Sequence, residues 1–391
     1  MLRFQTTGES HGQALVAMLS GLPTGLPIDF GYVDRELKRR MGGYGRGGRM
    51  KIESDHAQFL SGVRHGQTIG SPVTIVIENR DWQNWAEAMA VEDRPESRAK
   101  YKALSPPRPG HADLAGCLKF NLRDARYVLE RASARETAAR VAIGAVAKLF
   151  LRAFGTEVAS HVLAIGHVTL EAAAPTFETI LALRDREEIV LNCTDVDAEA
   201  RMKEEVDHAL RERDTVGGIF EVVAHGLPPG LGSCEQWDER LDGQLAQAVM
   251  SIQAVKGVEV GAGIRAAADF GSQVHDEIGY DHEHSRFTRK SNRAGGLEGG
   301  ITNGEDVVVR GYVKPISTLR RPLESVDFDT RETVKAAYER SDVCVVPAAG
   351  VVAESMVALV LARAFLEKFG GDSLGETRRN FEAYREQLRY F

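Results

Sequence analysis

The sequence predicts an α+β fold with largely antiparallel sheets, and three observations carry that prediction. Its strand-like runs are short and do not alternate strictly with helices, as a doubly wound parallel sheet would require. No G-x-G-x-x-G opens a helix after an early strand. A strand–turn–helix unit occurs twice, which suggests an internal duplication inside one domain covering residues 1–391.

Along the chain, the strand-like runs are ALVAMLSG from Ala14, SPVTIVIEN from Ser71, EIVLNCT from Glu188, GIFEVVAHG from Gly218 and EDVVVRGYV from Glu305. The helix-like runs are VDRELKRRM from Val33, SARETAARVAIGAVAKLFLRAF from Ser133 and AEARMKEEVDHALRER from Ala198. DGQLAQAVMSI from Asp242, TRETVKAAYER from Thr330 and AESMVALVLARAFLEKF from Ala353 complete the set. In the run from Ser133, Ala138, Val141, Ala142, Ala145 and Leu149 share one face, and these mostly small side chains allow close packing in a core. Glycine clusters in MGGYGRGGRM, VKGVEVGAG and NRAGGLEGGITNGED mark loops between these segments. The repeated unit is VAMLSGLPTGLPIDFGYVDREL against FEVVAHGLPPGLGSCEQWDERL, which aligns Gly21-Leu22-Pro23 with Gly226-Leu227-Pro228.

A chain of 391 residues can bury a large core, and 43% hydrophobic with 27% charged residues is the balance of a soluble globular protein. No unbroken run of about 18 apolar residues occurs, so no membrane span is expected. The opening MLRFQTTGES lacks the apolar stretch of a signal peptide. Cys117, Cys193, Cys234 and Cys344 are scattered without a C-x-x-C pair, which suits a reducing cytoplasm and argues against a zinc site. A formal net charge of −7 argues against a general nucleic-acid binder. Yet Arg35, Lys38, Arg39, Arg40, Arg46, Arg49 and Lys51 crowd one stretch beside Asp34 and Glu36. Such a cationic island on an acidic chain points to a small anionic ligand.

Four clusters bear on chemistry. RRMGGYGRGGRM sets Arg39, Arg40, Arg46 and Arg49 among glycines, where guanidinium forks and bare backbone N–H groups together bind phosphate or carboxylate. A solvated basic loop is the commoner fate of such a run; it is not a Walker loop, since G-x-x-x-x-G-K-S/T is absent. His11 in GESHG and His111 in SPPRPGHADLAG are each flanked by glycine in a stiff setting, suiting a general acid or base that a ligand can approach. In ERASARE, Ser133 and Glu136 read as a capping box. Arg131 and Arg135 beside that helix start would be unfavourable unless they hold an anion. Late in the chain MSIQAVKGVEVGAG, AGGLEGGITNG, VKPISTLRRP and ERSDVCVVPAAG supply Gly- and Pro-rich loops with Lys, Arg, Ser and Thr donors, suited to a phosphorylated planar ligand. HEH at His282 to His284 has no evident third ligand and reads as an exposed loop, so no metal is expected.

Together these motifs resemble the chorismate synthase family. GESHGQALVAMLSGLP, ERASARETAARVAIGAV and RSDVCVVPAAGVVAESM are its longest matching segments, and GRGGRMKIESDH, RPGHADLAG, SIQAVKGVE, AGGLEGGITNG and KPISTL fall between them in the family's order. The resemblance implies anti-1,4-elimination of phosphate from 5-enolpyruvylshikimate 3-phosphate, dependent on reduced FMN (FMNH2). It implies a β-α-β sandwich around a helical core, a homotetramer, and no partner in nucleic acid or membrane. By resemblance His11 protonates the leaving phosphate, His111 helps protonate the flavin, and Asp342 assists proton abstraction; the two histidine roles are interchangeable at this level. The flavin residues implied are Arg131, Ala132, Ser133, Gln253, Ala254, Gly299, Lys314, Pro315, Ile316, Ser317, Thr318 and Arg340. Ser317 stands where many members carry proline. Arg40 and Arg46 match positions assigned to NADP, although substrate anions suit them better without a dinucleotide fold. Ser10, Arg39, Arg49 and Arg135 are further substrate candidates. There is no room for the flavin-reductase extension of bifunctional members, so an external flavin-reducing system is expected. The alternatives are a flavin-dependent oxidoreductase or flavin reductase, and a non-catalytic anion- or nucleotide-binding regulator.

Overall fold

The computed structural model describes the chain apart from residues 48–53, 94, 96, 98–100, 102, 172–174, 187–189 and 338–341. The first half opens with strands β1 (Arg3–Gly8) and β2 (Ala14–Ser20), then helix α1 (Phe30–Met41), then β3 (Gln58–Ser61) and β4 (Val73–Glu78). Short helices α2 (Asp113–Phe120) and α3 (Arg126–Ala132) lead into α4 (Thr137–Arg152). The second half runs through β5 (Glu157–Ile165), β6 (Val168–Thr169), α5 (Val196–Arg211), β7 (Gly218–His225), α6 (Leu241–Met250), β8 (Val255–Val260) and β9 (Val307–Val313). It ends in α7 (Val346–Phe369) and α8 (Leu374–Arg389).

Two antiparallel sheets, ordered β1-β2-β4-β3 and β8-β9-β7-β5-β6, enclose a helical centre. Helix α4 packs on β2 and β4, and α7 packs between α4 and strands β5 and β7. The expected sandwich is therefore present. Its helices approach closely because α4 carries small residues: a Cβ added at Gly144 would stand 2.7 Å from Ser355 Cα on α7. Helix α7 is 24 residues long and apolar enough to cross a membrane by length and composition, although Glu354, Ser355 and Arg363 interrupt its apolar run. Its most apolar window is 83% buried, so here it is the core helix.

The duplication is visible in the topology and in atomic detail. Sheet order β1-β2-β4-β3 recurs as β5-β7-β9-β8, with α1 and α6 following the second strand of each set, and α4 and α7 closing them. Both G-L-P-x-G-L turns are pinned by a threonine from a distant ribbon. Thr68 Oγ1 donates to Pro23 O (2.6 Å) and accepts from Leu26 N–H (2.9 Å). Thr302 Oγ1 donates to Pro228 O (2.7 Å) and accepts from Leu231 N–H (2.8 Å). Gly21 and Gly226, at φ +89° and +79°, take the left-handed conformation that the turn requires.

Two sequence expectations fail. EIVLNCT forms no strand among its described residues: Asn192, at φ +60°, breaks the extended run and its side chain bonds Ser160 O beside β5. TRETVKAAYER contains strand Thr333–Lys335 paired with Glu324–Val326, and no helix among its described residues, because Asp327 caps a tight turn through the N–H groups of Asp329 and Thr330. His282–His284 lies in the turn of the Ile278–Asp281/Arg286–Arg289 ribbon, with His284 bonded to Asp281.

Candidate active site

Strand β1 ends at Gly8, whose φ of +99° suits glycine and whose added Cβ would crowd Leu15 Cα at 2.9 Å. The chain then turns through Glu9–Gly12, closed by Gly12 N–H to Glu9 O (3.2 Å). His11 stands on that turn, with the C-terminal end of α3 beneath it. Glu130 receives the His11 backbone N–H at 2.7 Å and faces its Nδ1 at 2.8 Å, while Glu130 O accepts from Ser10 N–H at 3.0 Å. Burial opposes ionisation of Glu130, but the bonds and charge of His11, with Arg126, outweigh it and hold the carboxyl below its ordinary range. An ionised carboxylate only accepts, so Nδ1 carries the hydrogen and Nε2 is the atom that gains or loses a proton. Ser10 Oγ meets Ser133 Oγ at 3.1 Å. Asn79, after β4, welds this turn to the cationic side: its amide donates to Glu9 O (3.1 Å) and Gly12 O (2.7 Å) and accepts from Arg135 Nε (2.8 Å).

The second histidine is built the same way. His111 Nδ1 faces Asp113 Oδ1 at 2.5 Å, and Arg108 brackets Asp113 through Nε (2.8 Å) and Nη2 (3.0 Å). Burial again opposes ionisation of Asp113, but His111 and Arg108 hold its carboxyl far below the usual range. Arg108 also donates to Thr318 Oγ1 (3.1 Å), and Lys314 Nζ donates to Gly110 O (2.5 Å). The loop of His111 is thereby fastened to the Lys314–Thr318 segment, where Ile316 O accepts from Thr215 Oγ1 (2.8 Å).

The arginines divide between two sets of carboxylates. Arg40 donates to Thr137 Oγ1 (2.9 Å), Asp55 (3.3 Å) and Ala134 O (3.2 Å), and Arg135 grips both oxygens of Asp55 at 2.6 and 2.8 Å. Burial, resisted by Asp55 and aided by the like charges of Arg135 and Arg46, brings the Arg40 guanidinium down to about 10. A cation penalised chiefly by burial is one that an anion bound beside it relieves. Arg46 pairs with Asp342 at 2.8 Å, and Asp342 also accepts from Gly47 N–H at 2.6 Å, which sets it beside the glycine-arginine loop. Arg39 requires correction as a substrate contact. It points into the core, bonded to Glu36 at 2.9 Å and Glu354 at 2.7 Å, in a buried cluster with Lys148. The capping box is also only half formed: Ser133 accepts from Arg135 N–H, but Glu136 turns to Thr6 (2.6 Å) and Arg140 (2.9 Å).

Most residues expected around the flavin adjoin one another. Arg131 donates to Thr6 O at 2.8 Å, Gln253 Nε2 to Glu136 at 3.3 Å, and Lys314 N–H to Ala254 O at 2.9 Å. Ala132 ends α3 directly before Ser133. Two features fit a bound polar ring: Gln253 Oε1 is buried without a hydrogen-bond partner, and Ala254 holds φ +69°, a strained value for a residue with a side chain. Gly299 lies in the turn between Leu297–Glu298 and Ile301–Thr302, where an added Cβ would meet Cys234 Cβ at 3.9 Å. Arg49 and Arg340 lie outside the described residues. Sequence reasoning missed Glu130, Asp113, Arg108, Asn79 and Asp55; only the H-x-D spacing of His111 and Asp113, and the adjacency of Glu130 to Arg131, signalled any of them.

Three comparisons bear on this arrangement. A family model described as chorismate synthase matches residues 2–366. The chain is 64% identical to the chorismate synthase of Acidobacterium capsulatum and 52% identical to that of Aquifex aeolicus, over 100% of this chain and 100% and 99% of theirs. It superposes on a crystal structure of chorismate synthase with a TM-score of 0.79 at 42% identity, covering 100% of this chain and 99% of that one.

Proposed function

The chain belongs to the chorismate synthase family, and from that membership we propose how its own residues carry the family's reaction. The enzyme is a carbon–oxygen lyase at the last common step of the shikimate pathway, serving aromatic amino-acid biosynthesis. It converts 5-enolpyruvylshikimate 3-phosphate to chorismate by eliminating phosphate and a ring proton in the anti-1,4 sense. The family uses reduced flavin, which when bound lends electron density to the breaking carbon–oxygen bond and recovers it as the proton departs. In this chain Arg131, Ala132, Ser133, Gln253, Ala254 and the segment Lys314–Thr318 would hold FMNH2.

The observation that carries the reading is the seat of His11. Glu130 fixes its Nδ1, and Asn79 ties its turn to Arg135, so a proton donor stands next to a cluster of guanidiniums gathered around Asp55 and Asp342. Arg135, Arg40 and Arg46 orient the anionic groups of the substrate. Nε2 of His11 gives its proton to the departing phosphate, which lowers the charge that must leave. His111, held by Asp113, presents its own Nε2 for proton transfer on the flavin side of the site. Asp342 assists removal of the ring proton. Arg40 and Arg46 are assigned to substrate rather than NADP because both are enclosed, with Arg40 only 5% and Arg46 11% exposed, where an extended dinucleotide has little purchase. We read the chain as a cytoplasmic homotetramer supplied with FMNH2 by a separate reducing system. Anaerobic mixing with photoreduced FMN and the substrate, followed by phosphate release and chorismate absorbance, tests this reading. Both signals should appear together and both should fail in Arg135→Met; full turnover in that variant would remove the cationic group from the site.

A further inference from the structure

Beside the His11 turn, the segment after β4 does something that the reaction scheme does not yet use. Trp85 lies with its ring centroid 4.1 Å from that of His11, the planes 35° apart. Its own orientation is fixed twice. Its Nε1–H donates to Asp81 Oδ2 at 3.0 Å, and the Arg126 guanidinium stands 5.1 Å from its ring centroid. Arg126 reaches back to Glu130 Oε1 at 3.5 Å, so Trp85, Arg126, Glu130 and His11 close a ring of contacts. Asn79 begins the same segment, and its carbonyl accepts Trp82 N–H at 3.0 Å while its amide holds the His11 turn.

We propose that Trp85 is a positioning residue for His11: it covers one face of the imidazole and, with Glu130 on the Nδ1 edge, restricts proton exchange to Nε2. The inference rests on the reading of His11 as the proton donor. Its physical basis is that a ring held only at one edge can swing about that bond. A flat aromatic partner at contact distance removes this freedom and gains further when the imidazole is charged. Pre-set geometry at a reacting atom lowers the barrier without changing how tightly substrate binds. The effect of losing Trp85 should therefore fall on kcat and not on KM.

Trp85 also provides its own optical report. The chain has three tryptophans, Trp82, Trp85 and Trp237, so replacing Trp82 and Trp237 with phenylalanine leaves Trp85 as the sole emitter. An imidazolium in ring contact quenches indole emission, so the fluorescence should fall on acidification, and that titration should vanish in His11→Asn. In the otherwise native enzyme, Trp85→Leu should lower kcat roughly tenfold with KM and FMN affinity within about twofold, and Trp85→Phe should restore most of the rate. A titration that persists in His11→Asn, or a Trp85→Leu enzyme with unchanged kcat, would overturn the assignment of Trp85. The donor reading itself falls separately, if His11→Asn turns over at the native rate.

Discussion

Replacing Glu130 with glutamine probes the seat of His11 with almost no change of shape. Two hydrogen bonds end on this carboxylate, from the His11 backbone N–H at 2.7 Å and from Nδ1 at 2.8 Å, and its side chain is 1% exposed. Glutamine offers one acceptor oxygen and one NH2, so either one of the two donors faces another donor or the imidazole is forced into the other tautomer, with Nδ1 accepting. A buried donor left unsatisfied costs about 1–3 kcal/mol. With about 1.36 kcal/mol per tenfold in rate, turnover should fall by roughly 5- to 150-fold if the loss is felt at the proton-donating ring. The pH dependence has a definite sign. The Glu130 carboxyl is held below its unfolded value of 4.5, so its stabilisation is complete above that value and is lost as pH falls through the lower, folded one. Glu130→Gln should therefore be less stable near neutrality and should unfold in acid with a shallower dependence between those limits. The assay is anaerobic turnover with photoreduced FMN, alongside urea unfolding from pH 7 down to about 3. Native kcat in folded Glu130→Gln, or an unchanged acid profile, would refute the role given to this carboxylate.

Four further substitutions test other joints of the structure. Asn79→Asp keeps the acceptor for Arg135 but loses both donors to the His11 turn; kcat should drop about tenfold with FMN affinity retained, measured by turnover and flavin titration. Gly144→Ala sets a methyl against Ser355 and should destabilise by about 1–3 kcal/mol in urea unfolding, without a specific effect on KM. Thr68→Val and Thr302→Val each remove the same pair of turn bonds in the two halves. Each should cost about 1–3 kcal/mol, and the double variant should lose the sum, since the sites share no partner.

What was legible in the sequence followed from local chemistry. Glycines beside His11 and His111 marked open turns, and the arginine run marked a concentration of guanidiniums. The division of that run was not legible, because it depends on which way each side chain leaves a helix. Arg39 and Arg40 are neighbours on α1, yet one turns to Glu36 and Glu354 and the other to Asp55 and Thr137. A hint lay in Glu354 itself: a carboxylate inside the apolar run AAGVVAESMVALV must find a cation. Strand β5 escaped notice because the inner face of SHVLAI alternates with an outer face that carries His161, buried against Glu221. Asn79 and Asp55 act across long sequence separations, which no local pattern displays.

A proton donor at the phosphate that is not a flavin ligand has a distinct signature when His11 is removed. Turnover and reduced-FMN affinity should be measured on the same anaerobic preparation of His11→Ala. Turnover reduced by about 100-fold or more, with flavin affinity within about threefold of native, is the expected result. Equal losses of both, or native turnover in a folded enzyme, would contradict it.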